Sequence, residues 1–295
     1  MRIHILGSGS EGNALVIESD RQRVMVDAGF GIRELSRRLQ LVDVAPDTVT
    51  GLIVTHEHQD HVRGAGAAAR KYRWPVYATA GTVRSDSAKR DERRAMAPGP
   101  AEGSLPVSLA IEPPAAKRST KRRVAKHVVD THTEVLLDDF AIRFIKAPHD
   151  AREPVSLVAT VRSTGERIGI AYDVGHISER FIRHFGDLDV LILESNHDER
   201  MLATGPYPWP LKQRVAGPNG HLGNAEAGIM ARACAHGRLR HLVLCHLSQV
   251  NNRPEIALKA MRGALRGSAF RGTLMAAPQD RPITIGPPDQ IELGL

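Results

Sequence analysis

Two cysteines, Cys234 and Cys245, are too few for a disulfide framework in a chain of 295 residues, and they point to a reducing compartment. Aromatic side chains are scarce at 4%, so aliphatic residues must build most of the core. No apolar run approaches the roughly 20 residues that a membrane-spanning helix needs. The apolar start Ile3-His4-Ile5-Leu6 meets Gly7 too soon for the apolar stretch of a secretory signal. Together these absences lead us to expect a cytoplasmic protein with no membrane partner. Disorder is also excluded, because the chain is 42% hydrophobic. The excess lies in base and in histidine. A net charge of +7 and a pI near 9.7 favour an anionic partner such as nucleic acid. The 14 histidines raise the question of where they fall.

Three of them share the stretch Thr55-His56-Glu57-His58-Gln59-Asp60-His61. It follows Gly51-Leu52-Ile53-Val54, a β-branched apolar run that reads as a buried strand. It precedes an Ala-rich segment, residues 62–72, that favours helix. Four metal-capable side chains are therefore expected on one short strand-to-helix connection. His56 and His58 are two apart and point the same way along extended backbone. Imidazole and carboxylate together suit Zn²⁺, Mn²⁺ or Fe. Further candidates stand at other strand ends: His149 after the run 142–146, Asp173 after 168–172, and His246 after 242–244.

In chain order the expected elements are strands at 3–6, 14–18 and 23–27, a helix over 32–39, a turn at Pro46-Asp47, the strand ending at Thr55, the helix 62–72 and a strand at 75–78. The loop Gly7-Ser8-Gly9-Ser10-Glu11-Gly12-Asn13 matches the glycine spacing of dinucleotide folds, but β-rich sequence comes after it where that fold needs a helix. It reads as a hairpin turn, whose N–H groups either serve the turn or face an anion. A helix is expected over 83–96, then a basic, Pro-rich insertion at about 97–126, either a solvated loop or a phosphate-contacting arm. Further strands are expected at 133–137, 141–147, 156–162, 167–173 and 190–193, with a helix at 178–185. A Pro- and Gly-rich loop precedes helices at 224–235 and 254–265 and strands at 241–244, 273–277 and 283–285. Two mostly β halves with few helices suggest packed sheets with helices outside.

The pattern His56-x-His58-x-Asp60-His61, with Asp27 upstream and His149, Asp173 and His246 downstream, resembles the metallo-β-lactamase superfamily. More narrowly, Gly7–Asn13, Glu194-Ser195-Asn196-His197-Asp198, Tyr207 to Arg214, Gly220-His221-Leu222 and Cys245-His246-Leu247-Ser248 are similar to the YycJ/WalJ-type metallohydrolases, with Cys245 where a Gly is usual. The resemblance implies an α/β fold, an αββα sandwich of two mixed β-sheets, as a single domain over 1–295 interrupted by the basic insertion. It implies a metal-dependent hydrolase, a 5′-to-3′ DNA exonuclease using two divalent ions, Zn or Mn, and a metal-activated hydroxide. His56, His58 and His149 would hold one ion, and Asp60, His61 and His246 the other. Asp173 would bridge them, and Asp27 would orient the histidine stretch by hydrogen bonds. Two ions about 3.5–4 Å apart can clamp the attacking and leaving oxygens of a phosphodiester.

Asp60 and His221 are the candidate catalytic residues, His221 as a proton donor to the leaving oxygen. His197 is a candidate extra ligand or phosphate contact, and Glu194 a candidate to orient either histidine. Tyr207, Trp209, Lys212 and Arg214 mix aromatic and basic side chains in one loop and suit nucleic-acid stacking and phosphate contact, or else pin that loop to the core. Two other readings remain at this level: a small-molecule phosphodiesterase or lactonase on the same fold, and a non-catalytic nucleic-acid-binding or regulatory protein.

Overall fold

The computed structural model describes residues 1–84 and 124–286. Its strands form two seven-stranded sheets. The first holds β1 (Arg2–Gly7), β2 (Ala14–Glu18), β3 (Arg23–Val26), β4 (Val49–Val54), β5 (Val76–Thr79) and β6 (Lys126–Val129), closed beside β1 by β14 (Ile283–Ile285). The second holds β7 (Glu134–Leu136), β8 (Phe140–Lys146), β9 (Val155–Val161), β10 (Arg167–Ala171), β11 (Val190–Glu194), β12 (His241–Cys245) and β13 (Thr273–Ala276). Both are mixed. Strands β14, β1, β2 and β3 pair antiparallel and β3 to β6 parallel. In the second sheet β7 to β10 are antiparallel and β10 to β13 parallel.

The central strands are apolar on both faces because both faces are covered. Ile3, Ile5, Leu15, Ile17, Val24 and Val26 turn inward and meet Ile142, Phe144, Leu157, Ile168 and Ile170 of the opposite sheet. The alternate residues Leu6, Val16, Met25 and Leu52 turn outward. There they pack on Leu35 and Leu39 of α1 (Ile32–Leu41) and, past the short α2 (Gln59–Val62), on Ala65 and Ala68 of α3 (Ala65–Tyr72). The outer face of the second sheet is covered by α4 (Glu179–Ile182) and, beyond α5 (Glu199–Thr204) and α6 (Trp209–Val215), by α7 (Asn224–Ala233) and α8 (Pro254–Ala264). The result is the expected helix–sheet–sheet–helix sandwich.

Three local expectations need correction. The Pro- and Gly-rich segment after β11 is not a plain loop: it contains α5 and α6. Asp198 caps α5 by accepting the Met201 N–H at 2.8 Å, and Pro sits in the first turn of α6. The helix-breaking residues mark helix ends there, which a composition reading averages away. The helix expected over 62–72 is split at Gly64, where an added Cβ would lie 2.0 Å from the Phe30 carbonyl oxygen. Strand β6 is an addition to the expected elements; three of its four residues are exposed, so no apolar alternation announces it. The helix expected over 83–96 and the insertion at 97–126 lie outside the described residues, apart from helical residues 83–84 and the segment 124–126. Among the described residues no helix is long and apolar enough to cross a membrane.

Candidate metal centre

The parallel strands of both sheets end at one edge, and the candidate residues lie just beyond them there. Asp27, Asp173 and His246 lie just past β3, β10 and β12, and all three adopt left-handed backbone, with φ of 57°, 55° and 54°. This region costs a non-glycine residue free energy, though Asp and His tolerate it better than most. The turn it makes swings each side chain off its strand and into the gap between the sheets. His56 and His58 leave β4 in extended backbone, and Asp60 and His61 ride on α2.

Seven candidate ligands converge, and Glu194 and His221 form a further such group with Asp173 and His246. His56, His58 and His149 offer ligand atoms within 4.8 Å of one another, as do Asp60, His61 and His246, and His56, His61 and Asp173 overlap both groups. The histidine tautomers are set by their partners, since a carboxylate or carbonyl oxygen only accepts. His61 Nδ1 donates to Asp27 Oδ2 at 2.8 Å. The Thr55 hydroxyl also donates to Asp27 Oδ2, at 2.8 Å, so His56 Nδ1, 3.1 Å from Thr55 Oγ1, must be the donor in that contact. His149 Nδ1 donates to the Gly220 carbonyl at 2.9 Å, and His246 Nδ1 to Glu194 Oε1 at 2.9 Å. Four histidines thus carry a proton on Nδ1, which leaves Nε2 as the ligating nitrogen of the neutral ring, the arrangement that metal-ligating histidines adopt.

The buried atoms left without a hydrogen bond include His56 Nε2, His246 Nε2 and Asp173 Oδ2. Asp173 Oδ2 lies 2.9 Å from His61 Nε2. A carboxylate oxygen and an imidazole nitrogen this close could share a cation. Burial pushes the His56 and His58 imidazoles below their ordinary value, helped by His61 and His149 respectively, so both stay neutral and able to ligate. Burial opposes the charge on Asp173, but His246 and His61 hold it well below the usual carboxylate range. Burial likewise opposes protonation of His61 and His246, yet Asp173 and its neighbouring carboxylates hold both well above the usual imidazole value. The carboxylates of Asp173, Asp60 and Asp27 that hold protons on these imidazoles are also groups that would attract divalent cations. The donor set fits such ions.

The Gly-rich turn after β1 acts as a brace and does not form an open anion cradle. The N–H groups of Ser8, Gly9, Glu11, Gly12 and Asn13 all donate within the protein. Asn13 Nδ2 donates to Asp60 Oδ2 at 3.2 Å, and Ser8 Oγ accepts the His246 N–H at 2.9 Å. Two candidate ligands of one ion are so tied to the same turn. Gly29 lets this region close: a Cβ there would lie 1.6 Å from the Asp60 carbonyl oxygen.

Glu194, fully buried at the end of β11, serves two histidines. Its Oε1 accepts from His221 Nδ1 at 2.8 Å as well as from His246, and its Oε2 accepts the Val174 and Leu222 N–H groups at 2.8 and 3.3 Å. Burial opposes charge on His221, but Glu194 and Asp173 hold its imidazole above the ordinary value. Burial pushes Glu194 up, and His221 and His246 outweigh it, leaving the carboxyl at about 2. His197 does not join the converging groups. It is buried in a bridge to Gly223, with Nδ1 unpartnered.

Of the four candidate substrate residues, Trp209 is 68% exposed at the start of α6, and Tyr207 is half-buried just before it. Arg214 reaches Asp150 Oδ2 at 2.6 Å, and Asp150 Oδ1 lies 3.3 Å from His149 Nε2, so α6 is fastened to the metal centre. Lys212 donates to the Ala203 carbonyl at 2.7 Å and so caps α5. Sequence reasoning does not single out Thr55, Asn13 or Asp150, although each is adjacent to or inside one of the motifs.

A family model described as the β-lactamase superfamily domain matches residues 22–247. The chain is 28% identical over 270 residues to exodeoxyribonuclease YycJ of Bacillus anthracis, covering 92% of this chain and 91% of that protein. It is 28% identical over 257 residues to exodeoxyribonuclease WalJ of Streptococcus pneumoniae, covering 87% and 85%. Among solved structures, the metallo-β-lactamase fold protein YhfI of Bacillus subtilis superposes with a TM-score of 0.62 at 16% identity, over 96% of this chain and 98% of that one. With the family model spanning most of the sequence and the same sandwich carrying the converging ligands, the chain belongs to the β-lactamase superfamily, among its metal-dependent hydrolases.

Proposed function

We propose that the protein is a two-metal phosphodiesterase acting on nucleic acid, a 5′-to-3′ DNA exonuclease. The observation that carries the reading is the pair of three-ligand groups, with Asp173 grouped with one histidine of each, and with His56 Nε2 and His246 Nε2 buried without a hydrogen-bond partner. His56, His58 and His149 would hold one zinc or manganese ion, Asp60, His61 and His246 the other, and Asp173 would bridge them. When bound, such ions supply Lewis acidity and bring the pKa of an attacking water toward about 7. The chain's own residues do the rest. Asp60, held by Asn13, keeps its carboxylate at the second position, where it can also orient the attacking water. His221 carries its Nδ1 proton on Glu194 and leaves Nε2 to deliver a proton to the leaving oxygen. Exposed Trp209 offers a face for base stacking, while Arg214, paired with Asp150, would meet a phosphate only by sharing or leaving that carboxylate. The DNA substrate is supported by the two exodeoxyribonuclease relatives and by the net charge of +7.

The test compares cleavage of 5′-labelled single-stranded DNA, the matching RNA and bis(p-nitrophenyl) phosphate, each with Mn²⁺, Zn²⁺ or EDTA. Metal-dependent, stepwise release of nucleotides from the DNA 5′ end is expected, with activity lost in EDTA and in a folded His58→Ala variant. Turnover of only the small ester, or preference for RNA, would overturn the DNA reading. Full activity in His58→Ala would overturn the ligand assignment.

A further inference from the structure

The cage is assembled from two sheets. Asp27 and the His56–His61 stretch belong to the first, and Asp173, Glu194 and His246 to the second. Ligand spacing in such a cage depends on how firmly the sheets are registered at this edge. Among the contacts that cross, the Tyr172 hydroxyl donates to Asp27 Oδ2 at 2.7 Å. Tyr172 immediately precedes Asp173, is 5% exposed, and its ring packs in the inter-sheet core. It also lies against His61, with ring centroids 5.5 Å apart.

The accepting oxygen is the informative part. Asp27 Oδ2 already takes the Thr55 hydroxyl and His61 Nδ1, while Oδ1 takes the Thr55 N–H at 2.8 Å. His56 depends on the same carboxylate through Thr55 Oγ1. One carboxylate thus sets the tautomer and ring orientation of His56 and His61, which form one group with Asp173 and each also belong to one of the two groups proposed to hold separate ions. Tyr172 supplies the donor that comes from the opposite sheet. Its phenol ring alone would fill the core equally well as phenylalanine. Burying a hydroxyl is unfavourable unless it finds a partner, and the partner here is the group that orients the ligands.

We propose that Tyr172 is a positioning residue for the metal centre, pinning the orientation of Asp27 and, through it, of His56 and His61, while holding Asp173 opposite them. The proposal rests on the reading that these residues bind metal. Outer hydrogen-bond partners of metal ligands are worth about 10–100-fold in metal affinity.

The experiment measures Zn²⁺ affinity of the full-length protein by competition with a chromophoric chelator, together with the absorption spectrum of the Co²⁺-loaded protein. It uses wild type, Tyr172→Phe, Asp27→Asn and the double variant. Tyr172→Phe is expected to weaken affinity about 10-fold or more and to change the Co²⁺ spectrum. In the Asp27→Asn background the same change should add little, because the route through the carboxylate is already broken. A merely structural tyrosine would lower the melting temperature of the metal-free protein and leave affinity and spectrum unchanged; that result overturns the proposal. Additive losses in the double variant would also overturn it. Should Tyr172→Phe fail to fold, ¹⁹F spectra of wild-type protein grown on 3-fluorotyrosine serve instead. A shift of the buried resonance on adding Zn²⁺ supports the coupling, and no shift refutes it. Wild type that binds no divalent ion would refute the metal reading itself, a result distinct from equal binding by wild type and variant.

Discussion

Replacing Glu194 with glutamine changes one buried atom and sets two incompatible demands against each other. The carboxylate accepts from His221 and His246 on Oε1 and from the Val174 and Leu222 N–H groups on Oε2. An amide has one oxygen. If it serves the histidines, the amide NH₂ faces two backbone donors, and each orphaned buried donor costs about 1–3 kcal/mol. If it serves the backbone, NH₂ faces both Nδ1 atoms and drives their protons to Nε2, where His246 needs a lone pair. Either way His221 loses the negative partner that offsets its burial, so its pKa falls. The acid form is present below that pKa, and its loss with rising pH should begin earlier in the variant. General acid catalysis contributes about 10²–10⁴-fold, so kcat of Glu194→Gln is expected to fall by at least about 100-fold at pH 8. The alkaline limb of the pH–rate profile should move toward lower pH. The assay is steady-state DNA cleavage across pH, with metal content measured on each sample. A folded, metal-replete Glu194→Gln enzyme with wild-type kcat and an unmoved alkaline limb would refute this account.

Two other outcomes are expected. Glu18 is held at about 2, chiefly by its hydrogen bond to His4 and then by Arg23 against burial; its stabilising contribution is complete above the ordinary glutamate pKa and is lost as pH falls toward 2. The unfolding free energy of Glu18→Gln in urea should therefore converge on that of wild type across this acid window, and a constant gap would be contrary. Trp209→Ala should raise KM for single-stranded DNA about 5-fold or more, since stacking on one base is worth about 1–3 kcal/mol. Hydrolysis of bis(p-nitrophenyl) phosphate should be unaffected, and an equal loss on that ester would assign Trp209 to folding.

The candidate ligands are legible in the sequence because their signals are local. His56, His58, Asp60 and His61 fall within six consecutive positions, and His149, Asp173 and His246 each come after a β-rich run. A strand end is readable from period and composition, and a strand end is where the sandwich needs a ligand. The hairpin at Gly7–Asn13 is readable for a related reason: the segment Ala14–Glu18 after it is β-rich, where a dinucleotide turn would open a helix. Helices α5 and α6 are hidden because Pro and Gly lie at their ends, and each helix is too short for apolar periodicity to register.

The orienting network belongs to another level. Asp27 and Tyr172 are 145 residues apart, Glu194 and His246 are 52 apart, and Ser8 and His246 are 238 apart. No local pattern encodes such pairs, because they exist only once two sheets have packed and their edges align. The left-handed backbone at Asp27, Asp173 and His246 is of the same kind, since surrounding contacts must hold a residue in a conformation its own propensity disfavours. By itself, then, the sequence pointed through hydrophobic period to packed sheets with helices outside, through its motifs to the family's sandwich, and through residue chemistry to the inventory of lone-pair donors. Tertiary structure alone decided which nitrogen of each histidine faces the centre, that Glu194 serves two of them, and that Lys212 caps a helix. Those outcomes depend on hydrogen-bond partners brought together only when the chain is folded.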